Sequence, residues 1–164
     1  MPESYDKYTV LQLIIAKLKI DLDVLQRAAQ TAYETATHEE NIAENKYDTL
    51  GLEASYLATG QARRVEEIRH SLGALQNLNL RPFDRLRGIQ IGDLVNLEAN
   101  RGGQQQLFIG PGAAGLKIQQ GNKSITVITP HAPLGKNLIG RAQGDIVEIV
   151  INHERQSFEV KEVH

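Results

Sequence analysis

The sequence has no cysteine and no tryptophan, and aromatic residues make up only 5% of the chain. The lack of cysteine excludes a disulfide scaffold, a catalytic thiolate and a cysteine-ligated zinc site. The shortage of aromatic side chains argues against a platform on which the bases of single-stranded nucleic acid stack. No basic segment followed by an apolar segment opens the chain, and no apolar run is long enough to cross a bilayer. We therefore expect neither a signal peptide nor a membrane-spanning segment.

The charge of the chain is nearly balanced but unevenly distributed. A formal net charge of -2 over 164 residues gives no global attraction to nucleic acid or to a membrane. Between Glu34 and Glu53, however, six carboxylates stand with one lysine, whereas residues 61–87 carry six arginines against three acidic residues. Crowded carboxylates repel one another and cost stability. The acidic stretch is therefore a candidate for binding something outside the chain, such as a hard cation at a partner's site.

Two segments repeat apolar residues at alternating spacings of four and three, the heptad pattern of a coiled coil. The first segment, at about 9–45, contains neither glycine nor proline, as a long helix requires. The second spans about 52–78, and both patterns shrink to alanine at the ends nearest each other. This predicts an antiparallel hairpin with the acidic stretch at its tip and the polar Gln61 setting the register. The predicted seam residues are Leu11, Ile15, Leu18, Leu22, Leu25, Ala29, Ala32 and Ala36, then Ala54, Ala58, Gln61, Val65, Ile68, Leu72 and Leu75.

From Gly88 onward the pattern changes to short strands separated by glycine and proline. The predicted fold class is α+β: an antiparallel coiled-coil domain over residues 1–80, then a small antiparallel sheet domain with one short helix over residues 81–164. The glycine-rich stretch from Gly110 to Gly115 is followed by no lysine-serine or lysine-threonine pair and by no helix start, as a phosphate-binding loop would need, so we predict a plain link between strands. Strands are predicted near 93–98, 106–109, 116–118, 124–128, 145–151 and 157–163, and the helix at 133–140.

The stretch from Ile125 to Ile149 carries a likeness to a known family. It runs from a strand through Thr129-Pro130 into the predicted helix, and then through Gly144-Asp145 into a valine-containing strand. This order resembles the signature of the bacterial Gre transcript-cleavage factors, and the coiled coil with its acidic tip extends the likeness over essentially the whole chain. The resemblance implies an FKBP-like fold for about 88–164, without prolyl isomerase activity.

The resemblance implies an action on RNA polymerase. The coiled coil would enter the polymerase's secondary channel, where tip carboxylates help to hold the second Mg²⁺ for hydrolysis of backtracked RNA from its 3′ end. The best matches for these carboxylates are Asp48, Glu53 and Glu44, with Asp48 and Glu53 nearest the metal. The chain itself is then not an enzyme: it stimulates the polymerase's own hydrolysis, binds no cofactor stably and shares Mg²⁺ with the polymerase.

The same resemblance assigns further contacts. It implies that the sheet domain docks on the rim of the channel, and that Arg63 and Arg64 face RNA or the polymerase channel. An alternative for these arginines is pairing at i,i+3 with Glu66 and Glu67. The expected partners are then RNA polymerase and, indirectly, the nascent RNA 3′ end, together with DNA but no membrane. The protein is expected to be a cytoplasmic monomer. The candidate polymerase-binding residues are Pro130, Pro133, Leu134, Gly135 and Leu138.

The predicted tip leaves other functions open. When the sequence is aligned with the family at Tyr56, Leu52 occupies the position of the family's second acidic residue. The spacing between Asp48 and Tyr56 is about two residues longer than in the family. A secondary-channel regulator without cleavage activity is therefore an alternative. A third possibility is an interaction module, in which a coiled coil and an FKBP-like domain act in assembly or as a chaperone. Prolyl isomerase activity is disfavoured because Phe108 and Phe158 are few aromatics for a proline pocket.

Overall fold

The computed structural model describes residues 6–37 and 50–164. Two long helices precede a six-stranded sheet with one short helix, so the predicted α+β fold class and element order are confirmed. Each predicted strand boundary lies within two residues of the observed one, except that the last strand begins three residues earlier than predicted. The elements are α1 Lys7–Thr37, α2 Leu50–Gln76, β1 Leu94–Ala99, β2 Gln104–Ile109, β3 Lys117–Gln120, β4 Lys123–Ile128, α3 Pro133–Leu138, β5 Ile146–Ile151 and β6 Glu154–Val163.

The chain divides into two compact units. One unit contains the sheet and comprises the start of the chain up to Ala16 together with Ser71–His164, and the other is Lys17–His70. The predicted boundary near residue 80 therefore differs from the division by contacts, because the base of each long helix belongs with the sheet. Val10, Ile14 and Leu75, all from these helix bases, are completely buried. No helix in the described ranges is long and apolar enough to span a membrane.

The predicted heptad seams lie on the buried faces of the two long helices, and in α1 the buried face also includes Val10 and Ile14. In α1, Leu11, Ile15 and Leu18 are buried, and Ala32 keeps the same face inside toward the far end. In α2, Val65 and Leu75 are buried while the intervening seam positions are half-buried. Heptad spacing places these side chains on one stripe of each helix, as a two-helix hairpin requires. Ala36 and Ala54, also predicted for the seam, have side chains outside the described part.

Gln61 is the polar residue of the α2 seam. Its Oε1 atom is buried and has no hydrogen-bond partner among the described residues. An unsatisfied buried oxygen costs about 1–3 kcal/mol. Gln61 therefore gives up stability at a position where an apolar side chain fits the heptad pattern.

We expect Gln61→Leu to stabilise the Lys17–His70 unit by about 1–2 kcal/mol, because leucine removes the unsatisfied oxygen and adds apolar area to the seam. Urea unfolding followed by helical circular dichroism measures the change. Gln30→Leu is the matched control, since Gln30 is exposed on α1 and we expect it to move stability by less than about 0.5 kcal/mol. Destabilisation by Gln61→Leu would show that the amide has a partner in solution.

The six strands form one sheet in the order β3-β4-β2-β1-β6-β5. All neighbouring pairs are antiparallel except β2 and β4, which are parallel, with Phe108 opposite Val127. The predicted antiparallel sheet is thus confirmed except for this one parallel pair. The physical reason is that β3 and β4 form a hairpin in which β4, not β3, lies against β2, so the loop and β3 together act as a crossover connection.

Both faces of the sheet contribute buried side chains. On one face, Val95, Leu97, Leu107 and Phe158 join Ile89 and Leu138 in the main apolar core. On the other, Leu94 pairs with Phe108, and both are buried. Phe108 and Phe158 are therefore core residues rather than the walls of a ligand pocket. Burial on both faces is typical of sheets that contain parallel strands.

The last hairpin turns where the sequence predicts it. Asn152 and His153 link β5 to β6, with φ of 51° and 67°. Positive φ at both central residues is the signature of a type I′ turn, whose twist matches that of the flanking strands. The register then pairs Ile151 with Glu154 and runs to Ile146 opposite Glu159.

Candidate functional site

The predicted tip carboxylates fall largely outside the described residues. Asp48 and Glu44 both lie in the range 38–49, and Glu53 lies in α2, where only the backbone is described. Within the described ranges, no group of three or more histidine, aspartate or glutamate side chains is placed to hold a metal ion. The assignment of these carboxylates to Mg²⁺ therefore stays a prediction from the family resemblance.

Arg63 and Arg64 lie on the solvent-facing side of α2. Both are exposed, next to the buried seam residue Val65. Glu66, the i,i+3 partner that Arg63 could use, instead accepts from Arg69 at 2.9 Å. No described residue forms an ion pair with Arg63 or Arg64 in the part of the chain that the structure covers. Their guanidinium groups are thus available to an anionic surface.

The candidate polymerase-binding residues surround α3. Pro133 opens the helix at a position where its missing N–H costs no hydrogen bond. Ala132 N–H donates to the Thr129 carbonyl at 3.1 Å in the turn before the helix, and Lys136 N–H donates to the Ala132 carbonyl at 2.8 Å in its first turn. Pro133 is exposed, while Pro130 and Leu134 are half-buried. These two prolines and the leucine can meet a partner without a change in the domain.

Two of the predicted contact residues have a different position. Leu138 is completely buried in the core of the sheet domain, and Gly135 is buried against Thr129 and Pro130. A Cβ atom on Gly135 would collide with the Thr129 carbonyl oxygen, so glycine permits this close approach of helix and loop. Their burial does not fit a direct contact in this conformation, and their assignment to polymerase binding stays a prediction. They position the α3 surface, where Lys136 and Asn137 are exposed instead.

Sequence reasoning missed the loop that leads from α2 into the sheet. Residues 81–91 border a cleft of about 540 Å³ whose lining includes Arg81, Arg87, Asp84 and Asp93. The sequence pattern predicts only a linker here, because arginine, proline and glycine break the helical periodicity. The excess of arginine over acid at 61–87 is the available signal, but it does not show which side chains lie free.

The two acidic side chains of this cleft are occupied within the chain. Asp84 accepts the Leu86 N–H at 2.9 Å. Asp93 is 5% exposed and accepts from Lys7 Nζ at 3.0 Å and from Gln90 N–H at 2.8 Å. Arg81 and Arg87, by contrast, are exposed and have no ion-pair partner among the described residues. Lys7 neutralises Asp93, whereas the exposed Asp84 keeps its charge, so two arginines against one free carboxylate leave the cleft with a small excess of positive charge.

A separate charge cluster lies on the sheet. Lys161 Nζ is 3.0 Å from a Glu159 oxygen and 3.3 Å from a Glu98 oxygen. The hydrogen bonds from Lys161 to Glu159 and then Glu98 raise the pKa of the lysine above its ordinary value. The Lys161 ammonium group lies between the two carboxylates and offsets their repulsion across β1 and β6.

No protein-family model and no curated protein matches the chain. Among solved structures it matches GreA factor homolog 1 (Gfh1) of Thermus thermophilus, at 20% identity and a TM-score of 0.38, over 92% of this chain and 94% of that one. The chain is similar to Gre-type factors. Gfh1 of Thermus aquaticus matches at 19% identity and a TM-score of 0.38, over 91% and 92% of the two chains.

A third match is the transcription elongation factor GreA/GreB of Nitrosomonas europaea, at 16% identity and a TM-score of 0.37, over 68% of this chain and 91% of that one. All three of these solved structures are named as Gre factors or Gre factor homologs. The assignment of function depends on the residues of this chain.

Proposed function

We propose that this chain is a Gre-type transcription elongation factor that binds RNA polymerase. In this proposal the helical hairpin enters the secondary channel, and Asp48, with Glu53 or Glu44, acts at the polymerase's Mg²⁺ site to stimulate cleavage of backtracked RNA. The metal belongs to the polymerase and supplies the activation of water. The chain contributes position: a long helical pair that carries the carboxylates at its tip.

The observation that carries the proposal is the fold of the signature stretch. Residues 125–149 run through β4, the Thr129–Pro130 turn, α3 and β5, in the order that the family resemblance implies. The exposed Pro133 and the half-buried Leu134 lie on the surface assigned to the channel rim. The heptad seams support the other half of the proposal, because buried stripes on α1 and α2 fit a helical hairpin.

The test is RNA cleavage in a stalled, backtracked elongation complex of the cognate polymerase, with Mg²⁺ and with or without this protein. RNA shortened from its 3′ end faster than by polymerase alone supports a cleavage factor. Binding without faster cleavage excludes it.

Asp48→Ala is expected to reduce stimulated cleavage on the order of 100-fold, the effect of losing one group that stabilises the reacting charges. Polymerase affinity should stay unchanged, because Asp48 is proposed to act at the metal and not at the rim. Both quantities are measured with the same backtracked complex. Glu67→Ala is the control: Glu67 is exposed on α2 and should leave cleavage intact. Full cleavage by Asp48→Ala rules out the proposed tip assignment.

A second candidate is a secondary-channel regulator that does not stimulate cleavage. The observation that favours it is Leu52 at the position where the family has a second acidic residue. Such a protein binds polymerase, leaves backtracked RNA intact and competes with a true cleavage factor for the channel. Competition measured in the same assay separates the two functions, and a failure to bind polymerase would favour the interaction module instead.

A further inference from the structure

The loop between α2 and β1 presents one leucine almost entirely to solvent. Leu86 is 98% exposed, although it belongs to an ordered turn of the sheet-containing unit. Arg85 and Arg87 flank it, and both are exposed. Single exposed apolar residues are common on protein surfaces. What distinguishes Leu86 is its setting: it stands between two arginines that have no ion-pair partner among the described residues, beside a cleft lined by Arg81, Arg87 and the exposed Asp84.

Hydrogen bonds within the chain hold this turn in place. The Asp84 carboxylate accepts the Leu86 N–H, and the Asp84 carbonyl accepts the Gly88 N–H at 2.9 Å. On the following side, the Gln90 side chain donates to the Arg87 carbonyl at 3.1 Å. The leucine is therefore displayed by a preorganised turn, so little ordering cost is left for a binding partner to meet.

The turn is fastened to the end of α3. Ile89 N–H donates to the Arg141 carbonyl at 2.8 Å, and Gly140 N–H donates to the Ile89 carbonyl at 2.9 Å. Gly88 lies so close to Gly140 and Arg141 that a Cβ atom would not fit. The loop is therefore tied to the residues that directly follow α3, the helix to which the proposed function assigns polymerase binding.

We propose that residues 81–87 form a docking surface for an acidic protein surface with an apolar recess. Leu86 enters the recess, and Arg81, Arg85 and Arg87 pair with carboxylates around it. Arginine is enriched in protein interfaces, and its planar fork suits bidentate pairing with carboxylates. The exposed leucine favours a protein over a nucleic-acid backbone, which offers phosphate charge but no apolar recess. The inference rests on the proposed function, since the partner is then RNA polymerase.

The experiment is a titration of fluorescently labelled full-length protein with the cognate polymerase, read by anisotropy at two salt concentrations. Leu86→Ser should weaken binding about 10- to 100-fold, the value of burying one leucine side chain. Arg81→Gln and Arg87→Gln should each weaken it several-fold and make the affinity less dependent on salt. Amide hydrogen exchange of the sheet domain confirms that each variant is folded.

Matched controls come from the opposite end of the sheet. Val150 is 65% exposed and Arg155 is exposed, and the two are register partners near the β5–β6 turn. That turn lies away from the Val163 end of β6, which pairs with Val95 at the start of β1 next to the loop. Val150→Ser and Arg155→Gln should leave the affinity within about twofold, as expected for surface substitutions outside an interface.

The possible outcomes separate this inference from the proposed function. If the wild-type chain binds polymerase and Leu86→Ser binds equally well, the docking surface is wrong while polymerase binding stands. If the wild-type chain does not bind, the proposed function fails and this inference fails with it. A parallel titration with labelled single-stranded RNA covers the other ligand class. Loss of RNA binding in the arginine variants but not in Leu86→Ser, with polymerase affinity unchanged, identifies a nucleic-acid surface and overturns the proposal.

Discussion

Gly88→Ala is expected to destabilise the sheet-containing unit by about 3–5 kcal/mol, among the largest effects of a single substitution. Two causes add. Gly88 has a φ of +73°, which costs an L-residue about 1–2 kcal/mol. In addition, the new Cβ would collide with the Gly140 carbonyl and lie 2.8 Å from the Arg141 oxygen. Relief of that collision separates Ile89 from Gly140 and Arg141 and weakens the two hydrogen bonds between them.

Gly115→Ala is the matched control, because Gly115 has a φ of +88° but no atom within 4 Å of the place that a Cβ would occupy. It should lose only the backbone part, about 1–2 kcal/mol. Hydrogen exchange of sheet-domain amides measures both variants without interference from the Lys17–His70 unit. Equal losses of stability in the two variants would show that the new Cβ at position 88 is accommodated without breaking the hydrogen bonds of Ile89 to Gly140 and Arg141.

Lys7→Met is expected to cost about 3–5 kcal/mol, because it leaves a buried carboxylate without its cation. The side chains of Lys7 and Asp93 are 11% and 8% exposed, and their charged atoms are 3.0 Å apart. Lys7 also donates to the His164 carbonyl at 3.4 Å. Methionine keeps most of the length and the apolar stem of the lysine side chain. The loss of stability therefore measures the contribution of the charge. Urea unfolding of the sheet domain, followed by hydrogen exchange, gives the difference in free energy.

Lys17→Met on the same helix is the comparison for this variant. Lys17 and Asp21 are also 3.0 Å apart, but their side chains are 48% and 37% exposed. An exposed i,i+4 pair contributes about 0.3–0.5 kcal/mol. The same separation with different burial should therefore give losses that differ several-fold. A Lys7→Met variant as mild as Lys17→Met would mean that water reaches Asp93 and replaces the ammonium group.

The heptad seams and most strands could be predicted because each depends on local repetition. Leu18, Val65 and Leu75 are buried where the spacing of four and three puts them. Pro133 marks the start of the six-residue helix α3. The sequence does not show which face of that helix is buried. A helix of fewer than two turns has too few apolar positions to define a stripe, which is why the burial of Leu138 could not be predicted.

Other features depend on contacts that sequence spacing does not encode. The parallel pairing of β2 and β4 depends on which strand of a hairpin meets the sheet. The charge of the cleft beside Arg81 depends on the pairing of Asp93 with Lys7, which lies 86 residues away along the chain, so sequence spacing could not show it. The acidic tip is the strongest signal in the sequence, and its central residue Asp48 lies outside the described ranges.

The position of β6 has a consequence for synthesis on the ribosome. β6 lies furthest along the chain among the strands, yet it is an inner strand between β1 and β5. Until it has emerged from the exit tunnel, β1 keeps an open edge, and its apolar Val95 and Leu97 lack their partners Val163 and Val160. Open edges beside apolar faces promote association between nascent chains. The hairpin helices, translated first, can form before the sheet, whereas the sheet closes only after residue 163 is free.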